Sequence, residues 1–338
     1  MKYLLTALPL WVCTSVCAQN ADSAQFYYKM GMVEKTSKRY LVASQYFEKA
    51  IKFNPSFSEA LLENGFTNLE MHRTNPALNC FAKVNEIDPA NKTAIKELLN
   101  LYFNYRQYAK AIEFARKCPD CENSLRILGL SNYQQENYPE AEKYLRSALS
   151  KDPSDAEVTY TLARTYLDME EYKKAIPWYE KAVGMTGAKN SWMYELGILY
   201  YNQSDYKNAM VSFTNAATNG YAQSNDFNEN VGFAALYNGE FEKGEKMIME
   251  VWAKKPGNKD LLRDMAEALY KQKQYDRSLQ YCQKLMEIDA KDGKALYQAG
   301  LNFQRKGQKD RGMQMCDKAI ELDPTLDGLR KKKEISGL

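Results

Sequence analysis

The sequence predicts an all-α solenoid of about nine helix pairs, and three repeating columns carry that prediction. Read in steps of 34, the windows open at residues 24, 58, 92, 122, 156, 190, 225, 259 and 293. Position eight then holds Gly31, Gly65, Leu99, Gly129, Ala163, Gly197, Gly232, Ala266 and Gly300. Position twenty holds Ala43, Ala77, Ala111, Ala141, Ala175, Ala209, Gly244, Ser278 and Gly312. Small residues at two fixed phases bring two helices close together in every unit, and a period of this length marks a stacked repeat rather than one globular core. Position seventeen is aromatic in most units, as Tyr40, Tyr108, Tyr138, Tyr172, Tyr206, Phe241 and Tyr275.

The elements follow in order along the chain. Lys2 precedes an apolar run from Tyr3 to Val16, and Val16-Cys17-Ala18 places small residues at the −3 and −1 positions of a cleavage site. Residues 1–18 read as a secretory signal peptide cut after Ala18, which predicts an exported chain, periplasmic or secreted. The run is shorter than the ~20 residues that span a bilayer. A retained anchor and a lipoprotein at Cys13 or Cys17 are the alternatives. Both cysteines follow valine, where lipoprotein signals resemble one another in carrying Gly, Ala or Ser. No later stretch reaches membrane length.

Within each unit, helix A is expected over positions two to fourteen and helix B over about fifteen to thirty. In repeat six, Leu196 and Tyr200 lie one turn apart on one face of helix A. Ser204-Asp205 forms the turn and caps helix B, whose stripe is Tyr206, Ala209, Met210, Phe213 and Ala216. Proline recurs at position thirty-two, as Pro55, Pro89, Pro153, Pro256 and Pro324, where it closes a unit or opens the next helix. Repeat three is four residues short and ends in Lys117-Cys118-Pro119-Asp120-Cys121. Repeat seven gains one residue near Gly220-Tyr221. Residues 327–338 are expected to cap the stack with a short helix and a basic tail, Arg330 to Lys333, read as a solvated helix end or a membrane or partner contact.

These columns resemble the tetratricopeptide repeat, whose small-residue, aromatic and proline positions are met at its spacing. Repeat five shows the rest in Leu162, Ala163, Tyr166, Tyr172, Ala175, Tyr179 and Ala182. The resemblance covers 24–326 and implies a right-handed superhelix of helix pairs that binds a protein or peptide partner. It also implies that helix A lines the inner, concave face, with positions two, five, nine, twelve and thirteen facing the ligand. Mapped onto this chain, those positions give Lys96, Asn100, Phe103, Arg126, Tyr133, Tyr160, Arg164, Tyr194 and Tyr201, then Phe233, Tyr270 and Tyr297. Aromatic residues and arginine tend to carry interface energy. The other reading is that the aromatics pack on neighbouring repeats while the arginines pair with acids. A subset of the family clamps C-terminal carboxylates of chaperones. Lys96 and Asn100 match its first two residues, but Ile127, Glu157 and Thr161 stand where the others would be. That role is rejected. Lys96, Arg126 and Arg164 predict a basic centre, whereas Asp226, Glu229, Asp260 and Glu267 predict an acidic arm.

The chemistry-bearing residues are sparse. Downstream of the signal segment stand Cys80, Cys118, Cys121, Cys282 and Cys316, an odd number. Cys118 and Cys121 read as a disulfide clip on the shortened turn, as plain thiols, or as a redox or zinc pair. Catalytic C-x-x-C pairs open a helix, whereas this one follows a helix, where the dipole opposes thiolate. Cys282 and Cys316 share a repeat position, too far apart on stacked helix pairs to bridge, and read as core. The single histidine, His72, falls at a helix end. No phosphate loop, nucleophile elbow or H-E-x-x-H is present, so no enzyme, cofactor or metal is expected. With 46 basic and 43 acidic residues the charge is too even for a nucleic-acid binder. The expected role is an envelope scaffold or adaptor that holds a partner segment, or else a holdase-like helper of export or surface assembly.

Overall fold

The computed structural model describes the backbone of residues 11–328 and the side chains of residues 20–328. The predicted signal segment 1–18, its cleavage site and the cap expected beyond Gly328, including Arg330–Lys333, lie outside the described side chains. Among the described residues there are eighteen α-helices, one short 3-10 turn and no strand. The chain divides into two compact units, one reaching Trp178 and the other starting at Tyr179. The first unit holds α1 (Trp11–Thr36), α2 (Tyr40–Phe53), α3 (Ser58–Glu70), α4 (Thr74–Ile87), α5 (Lys92–Asn104), α6 (Tyr108–Lys117), α7 (Ser124–Gln134), α8 (Tyr138–Lys151), α9 (Ala156–Asp168) and the start of α10 (Tyr172–Val183). The second holds the rest of α10, α11 (Asn190–Asn202), α12 (Tyr206–Thr218), α13 (Asn225–Tyr237), α14 (Phe241–Ala253), α15 (Lys259–Lys271), α16 (Tyr275–Ile288), α17 (Gly293–Arg305) and α18 (Lys309–Leu322), closed by the 3-10 turn Pro324–Leu326.

Odd-numbered helices are the A helices and even-numbered ones the B helices. Within each unit an A helix packs on its own B helix and on the B helix before it. The small-residue columns set the first contact. A Cβ added to Gly31, Gly65 or Gly197 would sit under 3 Å from the ring of Phe47, Phe81 or Phe213, the position-twenty-four residue of the same repeat. Glycine at position eight therefore makes room for a ring sixteen residues on. In the last repeat the two backbones themselves touch, since a Cβ on Gly312 would lie 2.5 Å from the Gly300 carbonyl oxygen. The alanines at position twenty, from Ala43 to Ala209, are fully buried.

The A-to-B turn is the same in all nine repeats. Position fifteen has positive φ each time: Lys38, His72, Arg106, Glu136, Glu170, Ser204, Gly239, Lys273 and Gly307. The next amide then donates back across the helix end, as Arg73 N does to Asn68 O at 2.8 Å and Gln274 N to Leu269 O at 2.8 Å. This left-handed closure satisfies carbonyls that the helix end would orphan. Caps on the other ends are side-chain oxygens. Asn91, Asp155, Ser224, Asn258 and Asp292 each accept an amide of the A helix they precede, and Asp205 caps α12.

The position-seventeen aromatics are half-buried or, at Tyr172, exposed, so they are not the core. Standing first on helix B, they pack on the aromatic at position twelve, five residues earlier: Phe103–Tyr108, Tyr133–Tyr138, Tyr201–Tyr206 and Tyr270–Tyr275, with centroids 5.6–6.1 Å apart. The fully buried tyrosines are Tyr166 and Tyr179.

Candidate partner-binding face

The A helices of the first unit carry seven of the nine predicted partner-binding residues, and three of them, Lys96, Arg126 and Tyr133, are engaged by the next repeat or its cap. Lys96 of α5 donates to Glu122 at 2.6 Å, a bond that raises the lysine and lowers the glutamate in pKa. Arg126 of α7 reaches Asp155 at 2.8 Å and also Glu157. Arg164 of α9 stands 3.9 Å from Asp168 and donates to the Tyr160 hydroxyl at 3.4 Å. Tyr133 donates to Asp168 at 2.9 Å, and burial holds its hydroxyl far above the ordinary range. Phe103 packs on Tyr108, and Asn100 is half-buried. The expected basic centre is therefore corrected. Each of its three cations stands beside a carboxylate, which cancels most of its reach toward a distant partner.

Arg126 belongs to a device that recurs. It stands at position five and grips Asp155, the cap of the following A helix. Arg263, at the same position of α15, donates to Asp292, the cap of α17, at 2.6 Å. Position five in these repeats locks one helix pair to the next. Position twelve does similar work: Tyr133 bonds Asp168 and Tyr270 accepts from Arg305 at 3.1 Å, each at position thirteen of the next repeat.

The second unit differs. Tyr194 stacks on Tyr221 at 4.6 Å and accepts from Asn230 at 2.7 Å, while Tyr201 lies edge-on to Tyr206 and Tyr237. These rings border carboxylates on α13 and α15. Glu229 has its pKa raised by burial and then by Asp226 and Asp264. Asp264 is raised by burial, then by Glu267 and Asp260, and Arg263 and Lys271 compensate only in part. Tyr201 is pushed up to about 12 by burial, by Tyr237 and Tyr206, and by Asp264. Burial is the larger cause at Glu229 and at Asp264; Asp260 is paired with Arg263 at 2.6 Å and Glu267 with Lys271 at 2.7 Å, so the like charges around Asp264 are counter-charged in part. Asp260, Asp264 and Glu267 also border a cleft of about 370 Å³ whose apolar side is Leu285, Tyr297 and Leu326. The sequence names Asp226, Glu229, Asp260 and Glu267; Asp264 stands between Asp260 and Glu267 on α15 and also acts on Glu229 of α13.

Cys118 and Cys121 are joined as a disulfide, their Cα atoms 5.3 Å apart, in the turn between α6 and α7. Cys118 belongs to the core around Leu98 and Phe114, and Ser124 donates to its carbonyl at 2.6 Å. The helix-helix link is thereby drawn tight where the repeat is short. Cys282 and Cys316 are buried and not joined in a disulfide, and burial raises the Cys282 thiol to about 12. His72 is an exposed turn residue. Among the described residues no group of His, Cys, Asp and Glu is arranged to hold a metal, and no helix is long and apolar enough to cross a membrane.

Comparison with known proteins places three sequence profiles, all described as tetratricopeptide repeat, over residues 24–57 and 293–326, 97–156 and 160–225, and 132–184 and 235–301. The human protein O-mannosyl-transferase TMTC3 is 24% identical over 177 residues, 50% of this chain and 19% of its own length. The TPR repeat-containing protein YpiA of Bacillus subtilis is 26% identical over 191 residues, 55% of this chain and 44% of its own. The chain thus spans less than half of either relative. Among solved structures, the C-terminal part of a TPR repeat-containing protein from Cytophaga hutchinsonii is 20% identical with a TM-score of 0.46, covering 68% of this chain and 96% of that one. The TPR domain of P58(IPK) is 15% identical with a TM-score of 0.29, covering 93% and 99%.

Proposed function

The chain belongs to the tetratricopeptide repeat family, whose repeats mediate protein–protein interaction, and from that premise we propose that it is an exported scaffold whose second unit holds a cationic segment of a partner protein on the A helices α11, α13 and α15. The repeats of this family are as a rule non-catalytic, and no reaction is assigned. The observation that carries the partner's charge is the contrast between the two units. The candidate cations of the first are paired, whereas Glu229 and Asp264 of the second repel their neighbours. Lysine or arginine entering there meets carboxylates and tyrosine rings together, and both attract cations. Export rests on the sequence alone, on Lys2, the apolar run and Val16-Cys17-Ala18. N-terminal sequencing from the producing cell tests it, with Gln19 expected first and Met1 or a lipid-modified cysteine contradicting it.

The binding reading is tested with a fluorescent, extended peptide alternating lysine and arginine with serine. It should bind the wild-type chain, and more weakly as salt rises, because screening shortens the reach of exposed charge. Glu229→Lys with Asp264→Lys should weaken binding about tenfold, since each exposed pair contributes about 0–1 kcal/mol. Arg126→Glu should leave it unchanged. Equal binding of an acidic peptide, or loss on Arg126→Glu alone, overturns the assignment.

A further inference from the structure

The face that each repeat turns toward the repeat before it is uncovered in repeat one. Positions three and ten of helix A, seven residues apart on one side of the helix, are buried in all eight later repeats. Trp192, Phe227 and Leu261 illustrate the first position and Leu101, Leu199 and Ala268 the second. What buries them is the preceding helix B. In the second repeat pair α4–α5, for example, Phe81 clusters with Leu98 and Leu101, and in the last repeat Asn302 at position ten donates to Ser278 of α16 at 2.8 Å. Repeat one has no predecessor in the structure, and its two residues are Phe26, 59% exposed, and Val33, 56% exposed. A terminal repeat that ends a stack in water ordinarily turns a polar outer face to it. This one keeps a stacking face.

One occupant is disfavoured by the fold: the C-terminal end of the stack does not offer a free complement. There Leu326, past α18, is buried against Tyr297, Cys316 and Ala319, so the chain that follows α18 already enters the place of a next helix. A second α1 does fit. Asp22 and Lys29 are exposed, opposite in sign and seven residues apart, with Phe26 between them. Two α1 helices crossing antiparallel beside Phe26 set Lys29 of each against Asp22 of the other, with the two Phe26 rings meeting at the dyad. We propose that this chain forms a symmetric dimer through α1, burying Phe26 and Val33 against a second copy. An isologous contact of this kind closes at two copies.

Sedimentation velocity on the exported chain, from Gln19 onward, tests it. Dimer is expected, its fraction rising with concentration and no species larger than two copies appearing. Phe26→Glu with Val33→Glu should raise Kd by about tenfold or more, with the helical circular dichroism unchanged because both side chains face water in the single chain. Val211→Glu, a substitution at an apolar residue 54% exposed on α12, should leave the dimer intact. Lys29→Asp should weaken it, and Asp22→Lys added to Lys29→Asp should restore it. A wild-type chain that stays monomeric, species that grow beyond two copies, or a charge swap without rescue each overturns the proposal.

Discussion

At the scale of single residues, the repeat is decided by what a side chain would collide with. Gly300 and Gly312 lie on adjoining helices whose backbones touch: the Gln304 side chain could step aside from an added Cβ on Gly312, but the Gly300 carbonyl oxygen, equally close at 2.5 Å, could not. Gly312→Ala should therefore destabilise the chain by about 1–3 kcal/mol, the cost of overpacking a filled contact. Gly257, in the loop before α15, has nothing within 4 Å of an added Cβ and no positive φ. Gly257→Ala should be neutral or stabilising by up to about 1 kcal/mol, through the unfolded chain alone. Thermal melts of the two variants check this, and an equal loss in both refutes the packing argument. The small-residue columns were legible in the sequence because close helix packing favours Gly, Ala or Ser there, Leu99 being the exception. The left-handed residue at position fifteen was not legible. Seven of its nine occupants are not glycine, so it leaves no compositional trace, although the backbone is the same in all nine.

At the scale of helices, the informative contacts join consecutive pairs. Asp292 shows how: its carboxylate accepts the Ala295 amide at 3.0 Å and the Arg263 guanidinium at 2.6 Å while almost wholly buried. Asp292→Ala removes the cap of α17 and leaves Arg263 without that partner. A loss of about 1–3 kcal/mol is expected, above the ~1 kcal/mol typical of an exposed cap. In a double-mutant cycle with Arg263→Met, the coupling should be at least about 0.5 kcal/mol, and additive losses would show that the two do not cooperate. Sequence reading placed Arg126 and Arg164 among partner-binding residues because arginine at those positions has the right chemistry. It could not see that Asp155 lies within reach of Arg126 across the inter-repeat gap; Asp168, by contrast, stands one turn from Arg164 on the same helix. Position within a repeat is a local property, whereas charge pairing depends on which repeats stack and at what offset.

At the scale of the molecule, a stack of helix pairs is held by neighbours alone, so damage should stay local. Leu98→Ala, in the core between α4 and α5, should cost about 2–5 kcal/mol locally. Amide exchange in α3 to α7 should then accelerate, while α15 to α18, in the other unit, keep their protection. Uniform acceleration along the whole chain would mean one cooperative fold instead. The sequence by itself determined that there are helix pairs, how many, and which faces are apolar, because those follow from short-range periodicity that every repeat writes again. The tertiary structure alone decided which charges remain uncompensated. It paired Lys96 with Glu122 and Arg126 with Asp155, and it brought Asp264 near Glu229 of the helix pair before it. The reason is physical: Coulomb energy and desolvation depend on distance through space, and residues about thirty apart in the chain become neighbours only when the repeats stack.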